Sequence, residues 1–357
     1  MSETLIMPSM TSVTSPVVVT GASGFIATHL IEQLLSMGYF VRGTVRSAPD
    51  TYTVLHELAG ASERLELVRA DLLDEAAFDE VVQGATVVLH TASPYAVSVE
   101  DPQRDLVDPA VEGTLHVLRA CERAKTVERV VLTSSMAAIT DEPDSSHVYT
   151  EADWNERSSL QRNPYYYSKT LAEKAAWEFV EKQGGFELVV INPFLVIGPC
   201  HTARMNPSNQ VLADILGGVY PGIMNISWGF VDVRDVARAH IEAMERGDAS
   251  GRYLCANETL SMRELVEKMR ALGYARGYKL PRWSMDNALG NLSVKLGSYF
   301  QPSGVGSYLR THIGREPRFD HAKIARDLDF SFLPLDDTIA ATLTDLERWG
   351  HIPRRAS

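Results

Sequence analysis

Along most of residues 17–255 the hydrophobic positions repeat one figure: a short β-branched run, a turn, then apolar residues at helical spacing. Val17–Thr20 is the first such run and reads as a buried strand. It passes through a turn bracketed by Gly21 and Gly24 into Ile26, Leu30, Ile31, Leu34 and Leu35, which share one helical face. Strands are then predicted over 39–45, Leu65–Arg69, 86–90, 129–134 and 186–192. A helix is expected in the run ADLLDEAAFDEVVQG after the third strand, a long one over Asp108–Ala124, and another from Ser168 on. Strands alternating with helices in this way predict an α/β fold built on a doubly wound parallel sheet.

Beyond residue 199 the figure loosens. Residues 200–229 carry Pro, Gly and Asn and read as a loop-rich flap, after which a strand over 230–233 and a helix over 234–246 return. Residues 261–272 form an amphipathic helix with Ser261 as cap and Glu264 at the capping-box position. Residues 273–320 are mixed, with a short apolar piece at 288–296; 320–328 and 334–349 read as helices. The expected organisation is a loose tail at 1–16, a dinucleotide-binding domain from 17–199 and 229–256, and a smaller, discontinuous substrate lobe from 200–228 and 257–357.

The stretch 163–177, NPYYYSKTLAEKAAW, carries the candidate chemistry. From Ser168 on it lacks Pro and Gly and is rich in Ala, Leu, Glu and Lys, so it reads as helix. Tyr165 and Lys169 stand four apart and therefore on one face. Of the chain's 13 tyrosines, only Tyr165 has Lys at the fourth following position. An unperturbed phenol has a pKa of about 10, too high for proton exchange near neutrality, and a nearby cation favours the phenolate. Such a pair can give a proton to a carbonyl oxygen or take one from an alcohol. An ordinary surface pair has the same spacing, so the reading depends on a cofactor cleft and a hydroxyl partner elsewhere in the chain.

Both are available. A strand, a Gly-bearing turn and a helix start form an anion cradle, whose N–H groups and helix dipole face a pyrophosphate. The glycines are three apart, and Ala27 takes the third small position. At the end of the second strand no acid is present to hold a ribose 2′-OH; Arg42 and Arg46 are there instead, with Arg46 placed for a 2′-phosphate. That points to NADP. Asp71, at the end of the third strand, is read either as an acceptor for an adenine amino group or as a helix cap. Thr91, Ala92 and Ser93 would lie at the carboxyl edge of the sheet, where ligands bind in such folds. Thr133, Ser134 and Ser135 end the next strand, and one of these hydroxyls can reach the same cleft. Spacing alone does not pick it.

Composition narrows the classes. The chain has 357 residues, 45% hydrophobic and 22% charged, with a net charge of −12 that argues against nucleic-acid binding. No apolar run approaches a membrane span, and the first fifteen residues lack the pattern of a secretory signal. Cys121, Cys200 and Cys255 are few and far apart, which fits a reducing cytoplasm and suggests neither a disulfide framework nor a metal site. His201 and His312 read as surface or structural residues.

Taken together, these pieces resemble the extended short-chain dehydrogenase/reductases, on the branch of dihydroflavonol, cinnamoyl-CoA and yeast methylglyoxal reductases. The matching segments are Thr20-Gly21-Ala22-Ser23-Gly24-Phe25-Ile26, Gly43-Thr44-Val45-Arg46, Asp71-Leu72, Thr91-Ala92-Ser93-Pro94, Val111-Glu112-Gly113-Thr114, Leu132-Thr133-Ser134-Ser135, Tyr165 to Lys169, and Asn192-Pro193 to Gly198-Pro199. The resemblance implies a Rossmann-type fold, a catalytic Ser135, Tyr165 and Lys169, and a second contact from Lys169 to the nicotinamide ribose. It implies cofactor contacts from Gly21, Ser23, Gly24, Phe25, Ile26, Arg46, Asp71, Leu72, Thr91, Ala92, Ser93, Pro193, Val196 and Ser208, with no metal.

Some positions depart from the branch. Cinnamoyl-CoA reductases carry Asn-Trp-Tyr-Cys-Tyr where this chain has Asn163-Pro164-Tyr165-Tyr166-Tyr167. The Asn by which dihydroflavonol reductases grip the flavonoid is Thr140, and a Lys six residues after the phosphate-binding Arg is Tyr52.

The expected activity is NADPH-dependent reduction of an aldehyde or ketone by a cytoplasmic monomer or homodimer acting on a small carbonyl substrate. The alternatives are a nucleotide-sugar epimerase or dehydratase on the same scaffold, and an NADP-sensing protein without turnover. Tyr95, Met136, Tyr166, Met205, Val211, Ile215, Ile223, Met224 and Phe300 are the candidate pocket wall, with core packing the competing reading for most of them.

Overall fold

The structure, a computed structural model, describes residues 15–93 and 99–355. Pro94 and Tyr95 lie outside the described residues, as does most of the expected tail.

Among the described residues twelve strands run in chain order: β1 Val17–Thr20, β2 Val41–Val45, β3 Leu65–Arg69, β4 Val87–His90, β5 Arg129–Thr133, β6 Val148–Tyr149, β7 Glu187–Pro193, β8 Leu195–Ile197, β9 Ser227–Asp232, β10 Gly251–Cys255, β11 Glu258–Ser261 and β12 Arg318–Phe319. Seven of them form one parallel sheet in the order β10-β7-β5-β4-β1-β2-β3. The order reverses between β1 and β4, which opens a crevice at the carboxyl ends of those two strands. This is the doubly wound Rossmann-type sheet that the strand-helix alternation predicts.

Strand alternation sends successive side chains to opposite faces and so builds two cores. Val17, Val19, Val87, Leu89, Val131, Val189 and Ile191 pack against the helices Phe25–Ser36 and Val233–Glu245. Val18, Val88, Val130 and Val190 face the other way, against residues of Glu75–Val81, Asp108–Ala124 and Pro164–Gln183. Both faces are covered, as an all-parallel sheet requires.

A smaller sheet, β11-β9-β8, leaves the main one where β7 runs on through Phe194 into β8. It lines a further core with Leu212, Ile215, Leu216, Trp228, Phe230, Leu260 and Leu265, the core of the second lobe. Helix Leu335–Arg348 completes that core with Leu335, Ile339, Leu343 and Leu346. Beside it, Trp349 Nε1 donates to the Cys200 carbonyl at 3.2 Å, and Asp345 Oδ2 accepts the Cys200 N–H at 2.7 Å.

Several local expectations are corrected. The expected loop-rich flap contains the helix Pro207–Gly217. Asn206 caps it by accepting the Asn209 N–H, Pro207 stands in its first turn, and Leu212, Ile215 and Leu216 are buried. Strand β9 begins at Ser227, earlier than read from the sequence, because its residues 227–230 pair antiparallel with β11. The capping box at Ser261 and Glu264 forms as expected. Cys121, Cys200 and Cys255 are all free thiols. Among the described residues, no helix is long and apolar enough to cross a membrane.

Candidate active site

The turn after β1 is held by hydrogen bonds from its neighbours. The Gly21 N–H donates to Thr44 Oγ1 at 2.9 Å, and the Ala22 N–H to the Thr44 carbonyl at 2.8 Å. Gly21 has φ +70°, and a Cβ there would stand 3.1 Å from the Ala92 Cα. The turn therefore needs glycine both for its backbone angle and for its closeness to the loop after β4. Helix Phe25–Ser36 starts at Gly24 with no capping side chain and no acid in its first turn. Ser23 and Gly24 are exposed, while Phe25 and Ile26 are half-buried. A helix start of this kind fits an anionic ligand.

Arg46 is exposed at the end of β2. Tyr52 turns its hydroxyl back to accept the Ser47 N–H at 3.2 Å. Burial works against Tyr52 ionising, yet the Ser47 contacts, the Arg46 charge and Ser23 together hold its pKa below the ordinary phenol value. Arg46, Ser23 and Tyr52 thus form one polar corner beside the glycine turn. Tyr52 has no such signal in the sequence, where it stands only as the absence of a Lys. Arg42, expected on the same side as Arg46, is committed elsewhere: it pairs with Glu66 at 2.7 Å and donates to the carbonyls of Val81 and Gln83.

Asp71 Oδ1 accepts the Leu73 N–H at 2.9 Å and so braces the turn after β3. The N-cap position of the following helix is Asp74, so Asp71 does not cap it. Leu72 lies against the helix Asp108–Ala124 at Gly113, where a Cβ would come within 2.4 Å of its Cγ.

Thr20 fixes the loop after β4. Its Oγ1 accepts N–H groups from Thr91 at 3.1 Å and Ala92 at 3.0 Å, while Thr91 Oγ1 donates to the Thr20 carbonyl at 2.5 Å. With both lone pairs used, the Thr20 hydroxyl donates to His90 Nδ1, 2.7 Å away. His90 is consequently the Nε2–H tautomer, and burial pulls its pKa down to about 3, with the Lys169 charge adding to the effect.

The three hydroxyls at the end of β5 separate clearly. Thr133 Oγ1 lies 2.6 Å from His240 Nε2, whose Nδ1–H is directed to the Val236 carbonyl at 2.7 Å. Ser134 Oγ donates to buried Glu173 at 2.5 Å. Ser135 is half-buried and accepts the Ala137 N–H at 3.1 Å, which leaves its hydroxyl hydrogen uncommitted among the described residues. Sequence spacing left this choice open; the neighbours of each hydroxyl distinguish them.

Helix Pro164–Gln183 carries Tyr165 and Lys169 on one face. Its start is pinned by Asn163, a non-glycine residue at φ +48°. The Asn163 side chain donates to Asp141 at 2.6 Å and Thr311 at 3.0 Å, and its N–H donates to Ser307. Lys169 is only 8% exposed. Its Nζ donates to Ser93 Oγ at 2.9 Å and stands 6.0 Å from the centre of the Tyr165 ring. Burial lowers the Lys169 pKa to about 8, opposed by the charge of Glu173 one turn further along.

Glu173 is the residue that sequence reading missed. It is 1% exposed and pairs with buried Arg252 at 2.6 Å. It also accepts from Ser134 and from Asn192 Nδ2, and Asn192 reaches the Ser135 carbonyl at 3.2 Å. The i, i+4 spacing of Lys169 and Glu173 was its one available signal.

Pro193 is buried at the end of β7, paired with Cys255 of β10; Val196 is buried in β8, paired with Val231 of β9; Ser208 is half-buried in the helix Pro207–Gly217. The candidate pocket wall disperses. Ile215, Ile223 and Met224 are interior to the core of the second lobe, with Met205 and Val211 packed against it. Met136 belongs to a separate small core cluster, and Phe300 is 91% exposed. Tyr166 contacts the Tyr165, Tyr308 and His312 rings and so joins the helix to the second lobe.

Residues 17–256 match the model of the NAD dependent epimerase/dehydratase family. Cinnamoyl-CoA reductase CAD2 of Medicago truncatula is 45% identical over 266 residues, covering 72% of this chain and 80% of that protein. Cinnamoyl-CoA reductase 1 of Petunia hybrida is 39% identical over 350 residues, 96% of each. Among solved structures, Gre2 of Candida albicans in complex with NADPH superposes with a TM-score of 0.79 at 33% identity, covering 94% of this chain and 99% of that one. The chain belongs to the NAD dependent epimerase/dehydratase family, as a member of the extended short-chain dehydrogenase/reductases.

Proposed function

We propose that this protein is an NADPH-dependent carbonyl reductase that converts aldehydes or ketones to alcohols. The observation that carries the reading is the buried Lys169 amine, bonded to Ser93 Oγ at 2.9 Å and standing 6.0 Å from the ring of Tyr165 on the same helix. The likeness to chains named as cinnamoyl-CoA reductases, and to a reductase solved with NADPH, supports it.

The glycine turn fits a pyrophosphate through the first N–H groups of helix Phe25–Ser36, and Arg46 with Ser23 and Tyr52 fits the 2′-phosphate that distinguishes NADP from NAD. When bound, the cofactor supplies the hydride for the carbonyl carbon. Ser135 donates a hydrogen bond to the carbonyl oxygen and orients it. Tyr165 donates the proton which that oxygen needs as its charge grows. Lys169 holds positive charge beside the phenol, which favours its ionised form, and its bond to Ser93 keeps the amine facing the cleft. Thr133 and Ser134 hold structure, bonded to His240 and Glu173.

The test is NADPH oxidation over a panel of aliphatic aldehydes, aryl ketones, keto-esters and dihydroflavonols, with NADH in parallel. Turnover with NADPH in excess of NADH is expected. Absence of turnover across the panel with NADPH demonstrably bound would favour a cofactor-sensing protein instead.

A further inference from the structure

The structure assigns a binding site for a divalent transition metal, of which zinc is the representative, to His29, Glu32 and His201. His29 and Glu32 are one turn apart on helix Phe25–Ser36, and His201 follows Pro199 and Cys200 in the segment after β8. One ligand atom from each of the three lies within 4.8 Å of the others. Glu32 Oε2 is 3.1 Å from His201 Nε2 and 3.8 Å from His29 Nδ1. Bonds of about 2.0–2.1 Å to a tetrahedral ion require ligand edges of roughly 3.3–3.4 Å, so these two distances bracket the required value.

The orientation of His29 is the second observation. Its Nε2 lies 2.8 Å from the Pro199 carbonyl, which can only accept, so Nε2 carries the hydrogen. The Nδ1 lone pair is thereby turned toward Glu32. A ring nitrogen bonded to a backbone carbonyl while the other faces a ligand site is the usual outer-shell arrangement of metal-binding histidines. The neighbouring cation, Arg234, is held by Asp232 at 2.6 Å.

Two histidines and one carboxylate suit zinc, cobalt or nickel, with solvent completing the coordination. A bound ion would tie the phosphate-facing helix to the segment that leads into helix Pro207–Gly217. No spacing along the sequence marks this site, because His29 and His201 meet only in the fold.

The test uses the full chain after EDTA treatment and dialysis. Titration with Co²⁺ is expected to give saturable d–d absorption at one ion per chain, and Zn²⁺ to raise Tm by a few degrees at saturation. His201→Ala and Glu32→Gln should each weaken Co²⁺ binding at least tenfold and abolish the zinc-dependent rise in Tm. His147→Ala, which alters another His–carboxylate pair, should leave both unchanged. No saturable binding, or binding equal in His201→Ala and the parent chain, would overturn the assignment. So would a Tm loss in His201→Ala that is the same with and without zinc, since it would mark the trio as an ordinary ion pair.

Discussion

Lys169 Nζ donates a 2.9 Å hydrogen bond to Ser93 Oγ, which joins the helix carrying Tyr165 to the loop that follows β4. The bond positions the amine before any ligand arrives. Its burial has consequences that can be measured.

Because burial lowers the Lys169 pKa to about 8, kcat/KM for carbonyl reduction should fall as pH rises through about 8. Lys169→Met should lose activity and the alkaline limb together. The same shift governs stability. The unfolded chain has the ordinary value of 10.5, so between about 8 and 10.5 it binds more protons than the folded chain. The burial penalty is full below that window and relieved across it. Lys169→Leu should therefore be stabilised relative to the parent chain at pH 7, with the gap closing toward pH 10.5 in chemical denaturation.

Tyr165→Phe removes the proposed proton donor without changing the ring packing against Tyr166. A fall in kcat of about 10²–10⁴-fold is expected. NADPH affinity, read by fluorescence, should change far less than kcat.

Arg46 is exposed beside Ser23 and Tyr52, with its charge directed to the cleft corner. Arg46→Ala should raise the KM for NADPH about tenfold or more and leave that for NADH nearly unchanged. Steady-state kinetics with both cofactors would show a collapse of the preference.

Arg252 and Glu173 form a buried pair, 7% and 1% exposed. Arg252→Met leaves Glu173 charged without its counter-ion and should cost about 3–5 kcal/mol in urea denaturation. Glu173→Gln also removes the charge that supports protonated Lys169, so the alkaline limb of kcat/KM should move to lower pH.

Gly21 combines φ +70° with a 3.1 Å approach to Ala92. Gly21→Ala should cost about 1–2 kcal/mol from the left-handed backbone alone. It should also weaken NADPH binding, because Ala92 must move to make room.

The sequence was most informative where local chemistry and periodicity agree. Strands such as β1 and β3 are β-branched or alternating runs ended by turns, and their bounds were readable. Tyr165 and Lys169 are four apart on a helix, so a one-dimensional spacing already encodes their shared face. Glu173 with Arg252 was not readable, because the pair joins positions 79 residues apart through the sheet. Helix Pro207–Gly217 was missed because Pro, Gly and Asn around it outweighed a short apolar pattern, although Asn206-Pro207 is an ordinary helix start. Spacing did not separate Ser135 from Thr133 and Ser134; the resemblance implied Ser135, and the fold commits the other two to His240 and Glu173.

The clasp of Cys200 by Asp345 and Trp349 joins segments 145 and 149 residues apart. A ribosome adding about 5–20 residues per second delivers the later segment roughly 7–30 s after the earlier one. From their own synthesis until that segment arrives, Leu212, Trp228 and Phe230 lack the cover that Leu335, Ile339 and Leu343 of the last long helix will provide. The nascent chain therefore carries an open apolar surface for seconds.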